Sequence, residues 1–329
     1  MKEPSMRHLA PPCLLLALAA CGGDFSNDDL EFLNALPQRE DLSVTTPGER
    51  MGGGTGQRLV RQGKVGSPSA LMEKLGDASA LVGNTDETGR DINESIGGIL
   101  DSVESITRLT PTKREPNRRV WGPILGKNDM EFDTRFVMTR EGERFEYQTQ
   151  YRRVGGGEND WWSFLEGTFQ ADGGVRKGTG RLSIDWKRAR EEEWLFSVDF
   201  LDGQEIRYQT QRLPTQVELE YFGPLPDIFP GRYMYREAEG DLAEMTFEMR
   251  GTDFVPGGLP ENVALVTRWA PDGRGTALLE ILSGDIVGAK YTECWDAQGR
   301  VTFISRSWDF LNPTEGVRAS CPDMSALDR

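Results

Sequence analysis

Met130-Glu131-Phe132-Asp133-Thr134-Arg135-Phe136-Val137-Met138 and, one turn later, Phe145-Glu146-Tyr147-Gln148-Thr149-Gln150-Tyr151 place apolar or β-favouring side chains at every second position. Glu131, Asp133 and Arg135 alternate with them in the first stretch, and Glu146, Gln148 and Gln150 in the second. Successive side chains of a strand point to opposite faces, so each stretch has one face for a core and one for water. Antiparallel strands with one solvated side have this pattern.

The alternation recurs in Leu182/Ile184/Trp186, Trp194/Phe196/Val198/Phe200, Val217/Leu219/Tyr221, Met245/Phe247/Met249, Val263/Leu265/Thr267/Trp269 and Val301/Phe303. Asp172-Gly173-Gly174, Asp202-Gly203, Asp272-Gly273 and Gln298-Gly299 supply turns between them. About a dozen such segments in succession predict a mainly β fold over residues 118–329. It is an antiparallel meander forming either a strongly curved sheet or a soluble barrel. A membrane barrel would need an apolar outer band on strands of about 9 to 11 residues. Short segments such as Arg181–Lys187 and charged faces such as Glu191-Glu192-Glu193 and Glu218/Glu220 oppose that reading.

The period changes upstream. Leu71, Leu75, Ala78 and Leu81/Val82 recur at helical spacing, as do Ile92, Ile96, Ile99, Leu100, Val103 and Ile106, closed by Pro111. Residues 67–112 are therefore expected to form a small helical hairpin, with Gly83-Asn84 in its connection and its apolar face docked on the β domain. Gly97-Gly98 weakens the second helix by about 2 kcal/mol relative to alanine, so it depends on packing. Residues 21–66 begin acidic and turn rich in Gly, Pro and Thr, ending in Met51-Gly52-Gly53-Gly54-Thr55-Gly56. Such a composition predicts a flexible tether.

The formal charge of −15 opposes nucleic acid as a partner, and the short basic run Lys113-Arg114, Arg118-Arg119 does not reverse it. The one histidine is His8. Without imidazole further on, serine–histidine and cysteine–histidine nucleophiles lack their base, and zinc or copper sites lack their usual ligand. No metal and no cofactor is expected. The glycine-rich Gly173–Gly180 stretch lacks the Gly-Lys-Ser/Thr ending of a phosphate loop and reads as a hairpin.

The first residues carry a second message. Lys2 and Arg7 precede an apolar run from Cys13 to Ala20, too short for the roughly 20 residues of a membrane span. Leu18-Ala19-Ala20-Cys21 resembles the lipobox of bacterial lipoproteins. The resemblance covers residues 1–21 and implies that residues 1–20 are a cleaved signal peptide and that Cys21 carries the lipid. Acyl chains contribute about 0.8 kcal/mol per buried methylene, so two or more hold a protein stably on a bilayer. Gly22 after the cysteine implies, by the family's sorting habit, the outer membrane, with the domain in the periplasm or at the cell surface. Removing residues 1–20, with Lys2, Arg7 and Glu3, leaves a chain one unit more negative. Cys294 and Cys321 then remain as an even pair in an oxidising compartment and are expected to form a disulfide.

Three functions stay open. The first is a non-catalytic binding or scaffolding role toward an envelope protein. The second is a carrier of lipid or another apolar ligand, in a cavity lined by Trp162, Trp186, Trp194, Tyr221 and Trp269. The third is a carboxylate-based hydrolase, for which Glu218, Glu220 and Glu166, an acid next to Trp161-Trp162-Ser163-Phe164, are the candidate acids.

Overall fold

The computed structural model describes residues 26–51, 73–126, 131–194, 201–213, 215–224, 231–252 and 258–328. Four helices come first: α1 (Asn27–Leu33), α2 (Arg39–Leu42), α3 (Pro47–Arg50) and the long α4 (Ala80–Thr107). The strands follow as β1 (Lys113–Glu115), β2 (Arg118–Ile124), β3 (Phe132–Glu141), β4 (Arg144–Arg153), β5 (Trp162–Ala171) and β6 (Gly178–Asp185). A short helix, α5 (Trp186–Glu191), precedes β7 (Gly203–Gln209), β8 (Thr215–Phe222), β9 (Arg232–Ala238), β10 (Leu242–Thr252) and β11 (Glu261–Trp269). The sheet ends with β12 (Gly275–Ser283), β13 (Lys290–Trp295), β14 (Val301–Arg306) and β15 (Thr314–Gly316).

All fifteen strands lie in one sheet in chain order, each antiparallel to the next. The two edges do not meet, so the meander is an open curved sheet and not a closed barrel. Both edge strands have only three residues, which leaves little backbone to template pairing with another chain. The alternation read from the sequence decides the faces. Phe136, Tyr147, Leu165, Leu182, Ile206, Leu219, Met245, Leu265 and Leu279 are buried on the concave side. Arg181, Glu205, Arg207, Glu218 and Arg232 form a chain of ion pairs across the outer side of β6 to β9. Two glycines let aromatic rings lie flat on the concave wall: Gly167 pairs with Tyr147, and Gly275 with Trp295. A Cβ at Gly167 would sit 2.1 Å from the Tyr147 ring, and one at Gly275 would sit 2.3 Å from Trp295.

Helix α4 lies along the concave side and touches β2 and β3 near one edge and β11 toward the other, so the sheet curves around it. Leu81, Ile92, Ile96, Leu100, Val103 and Ile106 form its buried stripe. It is a single helix of 28 residues, not the second arm of a hairpin, and it runs straight through Gly83-Asn84. Packing overrides the local helix-breaking tendency: Asn84 and Thr85 are buried, and Thr85 Oγ1 donates to Leu81 O at 2.8 Å. The expected first helical arm differs as well, since residues 73–79 approach β14 in non-helical turns before Ser79 caps α4. Residues 67–72 of that arm lie outside the described residues.

Residues 26–51 correct the expected tether. They are built into the core: Phe32, Leu42 and Val44 are almost wholly buried. Asn93 of α4 accepts from Val44 N and donates to Val44 O, both at 2.8 Å. Gly89 allows this approach, because a Cβ there would meet Thr46 at 2.4 Å. Asp29, fully buried, takes Arg119 at 2.6 Å and Arg114 at 3.0 Å. Burial alone would raise its pKa, but Ser26 N–H and these two guanidiniums outweigh it and hold the carboxyl at about 2. The local polar composition hid this, because each anchor has its partner far along the chain.

The meander has two rims. The upper rim carries the turns at 142–143, 239–241, 270–274 and 296–300; the lower rim carries 284–289 and 307–313. Residues 26–51 follow the upper rim: Phe32 packs on Phe145, Thr45 bonds Tyr235 and Glu237, and Met51 reaches Gly273 and Gly299. The C-terminus is fastened to the outer side. Cys294 and Cys321 form the expected disulfide, and Glu244, buried under the turn Ser325–Asp328, accepts from Arg236 at 2.7 Å and Arg268 at 2.6 Å.

Candidate functional site

A concentrated polar cluster lies in the interior where the chain enters α4. Glu293 sits on the concave side of β13 between Tyr291 and Trp295, with no solvent exposure. Ser79 Oγ donates to one of its carboxylate oxygens, and Tyr291 Oη donates to the other at 2.8 Å. Glu73 comes in from the opposite side: its Oε1 accepts from Ala80 N at 2.6 Å, and its carboxyl faces that of Glu293. Two carboxyls brought together away from water resist ionising together. Burial pushes Glu73 up to about 10, and the neighbouring Glu293 adds to the rise. Burial raises Glu293 too, while bonds from Glu73, Ser79 and Tyr291 partly offset that rise. Arg306 donates to the Glu73 backbone carbonyl and pairs with Glu315.

Sequence reading missed this cluster. The inward register of Tyr291 and Trp295 marks Glu293 as inward, but nothing local marks Glu73 as its partner. Chemically the pair can hold or release one proton. Its bonds to Ser79 and Ala80 lock residues 73–79 onto the sheet. That lock is reinforced by Gly76 N to Val301 O at 2.8 Å and Ser79 N to Gly299 O at 2.9 Å.

The expected cavity residues do not all line one cavity. Trp162, Trp186 and Trp194 do come together, at the lower rim beside α5. Trp194 lies 5.0 Å from Tyr151 and 4.5 Å from Phe164, and Trp186 lies 5.1 Å from Phe164. The indole N–H groups of Trp162 and Trp186 are buried without a hydrogen-bond partner among the described residues. Tyr221 packs on Tyr233 at 6.1 Å, and the fully buried Trp269 packs on Tyr235 at 6.2 Å near the upper rim. Trp186 opens α5, and Trp194 follows it, so neither is the strand residue that the alternation predicts. Phe196, Val198 and Phe200 lie outside the described residues, as does Cys21.

The candidate hydrolase acids do not assemble. Glu166 is exposed on the outer side between Gln148 and Ser183, facing away from the tryptophans. Glu218 and Glu220 are on the same outer side, each within reach of Arg207 at 3.6 and 3.7 Å. A shallow concavity of about 320 Å³ beside them is lined by Glu166, Arg181, Ser183, Asp185 and Glu205. Among the described residues, no group of three or more His, Cys, Asp or Glu side chains could hold a metal ion. No described helix is long and apolar enough to cross a membrane.

One surface feature stands out on the lower rim. Phe310 and Leu311 are 91% and 90% exposed at the tip of the β14–β15 turn. The turn is not slack: Asp309 Oδ1 accepts from Leu311 N at 3.1 Å and Asn312 N at 2.9 Å. Arg306 N bonds Pro313 O at 2.8 Å across its base. Val287 and Leu259, 65% and 64% exposed, sit on neighbouring turns of the same rim. Comparison with protein-family models, with curated proteins and with solved structures finds no match to this chain.

Proposed function

We propose that the protein is a lipid-moored cell-envelope domain with a non-catalytic role in binding a protein partner. The mooring rests on Leu18-Ala19-Ala20-Cys21, and the Cys294–Cys321 disulfide fits an oxidising compartment. The observation that carries the binding role is the position of α4: the side of the sheet where a carrier would keep its ligand is occupied by the chain's own helix. Recognition is thereby left to the outer surface and the rims. The test is labelled palmitate fed to cells making the full chain. Label and membrane association should both vanish with Cys21→Ser; label retained by that variant refutes the mooring.

A carrier role is the second reading, and the nest of Tyr151, Trp162, Phe164, Trp186 and Trp194 favours it. Its two unpartnered indole donors would suit an apolar ligand with one acceptor group. Quenching of tryptophan fluorescence by brominated fatty acid, lost in Trp186→Phe, would support this reading over the first.

A further inference from the structure

We infer that the lower-rim turns bearing Leu259, Val287, Phe310 and Leu311 are a docking surface for a second protein, held on the side of the domain away from the membrane. This rests on the proposed mooring through Cys21. Large apolar side chains at full exposure are uncommon on a surface, and a contiguous group of them marks an interaction site. Here the turns that carry them are stitched together. Leu259 N donates to Asp285 Oδ2 at 2.8 Å, joining the approach to β11 to the β12–β13 turn. Ser307 N donates to Lys290 O at 3.0 Å and Lys290 N to Ser307 Oγ at 2.8 Å, joining that turn to the one bearing Phe310. Strands β11, β12, β13 and β14 are consecutive neighbours, so the three turns stand side by side. An ordered tip of this kind is prepared for contact, since little rotational freedom of the backbone remains to be lost on binding.

The covalent chain chooses between a membrane and a protein as occupant. Only four residues lie between Cys21 and Ser26, and Ser26 caps α1 at the upper rim, where Asp29 bonds Arg119 and Phe32 meets Phe145. The five steps from one Cα to the other span at most about 18 Å. The upper rim is therefore held near the bilayer, and the lower rim stands a strand length beyond it. A nine-residue strand such as β12 spans roughly 30 Å. Phe310 could touch the same bilayer only if the domain lay on its side, with the ion-paired outer face of a strongly acidic protein against the headgroups. The partner that fits is a protein with an apolar groove for Phe310 and Leu311. Basic groups at the groove's margin would meet Asp285 and Asp309, which flank the apolar tips.

The experiment uses the full chain in its own cells, with p-benzoylphenylalanine in place of Phe310 and, as an upper-rim control, in place of Arg274. Irradiation should give one discrete protein adduct from position 310 and none from position 274. The adduct's protein, identified by mass spectrometry and purified, should bind the unmodified full chain, and Leu311→Asp should weaken that binding at least about tenfold with an unchanged melting temperature. Crosslinking from position 310 to lipid alone overturns the inference in favour of a membrane, and no adduct at all overturns it outright. Palmitate labelling of the same cultures separates the two claims. A labelled protein without an adduct sinks the docking surface alone, whereas an unlabelled protein removes the mooring and the orientation with it.

Discussion

Glu73 and Glu293 are both buried where the segment leading into α4 crosses β13, Glu73 accepting from Ala80 N at 2.6 Å and Glu293 from Ser79 of the same segment. The pair gives stability a definite pH dependence. Glu73 ionises near its ordinary value of 4.5 when the chain is unfolded and near 10 when folded. Between those limits the folded protein binds more protons than the unfolded one, so stability is greatest at the acid end and falls as pH rises. The slope reaches at most about 1.4 kcal/mol per pH unit. Glu73→Gln keeps a donor toward Glu293 and removes the titration. Denaturant unfolding from pH 5 to 9 should show the variant gaining on the parent protein as pH climbs; parallel curves would show that Glu73 does not titrate in this range on unfolding.

Asn93 holds the N-terminal segment on α4 through its two bonds to Val44, beside Gly48–Asp86 and Arg39–Asp101. Asn93→Ala leaves both backbone groups of a buried residue unpaired and should cost about 2 to 3 kcal/mol. Hydrogen exchange should speed up across residues 39–51 before it does in the strands. Uniform acceleration across the chain would show that the segment is not a separate strap.

Much of the β domain was legible in the sequence, because alternation at period two is a local property. Phe132-Asp133-Thr134-Arg135-Phe136 declares its two faces without reference to any other strand. The Asp-Gly and Gln-Gly turns then fix the meander order. What a local pattern cannot declare is a partner far along the chain. Asp29 read as part of an acidic tether because Arg119 lies 90 residues away. Gly83-Asn84 read as a break because the packing of Asn84 and Thr85 against the sheet was not visible. The candidate site failed for the same reason: Glu293 could be placed inward, but Glu73 could not be paired with it.

Glycine replacements should separate packing from propensity. Gly167→Ala drives a methyl into the buried Tyr147 ring and should cost about 1 to 3 kcal/mol. Gly98, exposed on α4 with open space around its Cβ position, should behave oppositely. Gly98→Ala should gain roughly 0.5 to 1 kcal/mol in thermal or denaturant unfolding. A neutral Gly167→Ala would mean that the ring does not rest on the strand.

The disulfide closes a stretch with a separation of 27 residues. Cys294→Ser or reduction should lower stability by about 3 to 4 kcal/mol on the chain-entropy account. Loss of protection should begin at residues 317–328, where the C-terminal turn covers Glu244. Equal stability of reduced and oxidised protein would show that the other C-terminal contacts suffice.

The central claim, a lipid-moored domain whose interior is filled by its own helix, is tested most directly by native mass spectrometry of the protein extracted gently from membranes. The account predicts a chain that begins at Cys21, carries covalent acyl groups and brings no further ligand with it. An unmodified N-terminus, or a stoichiometric apolar molecule released only on unfolding, would contradict it.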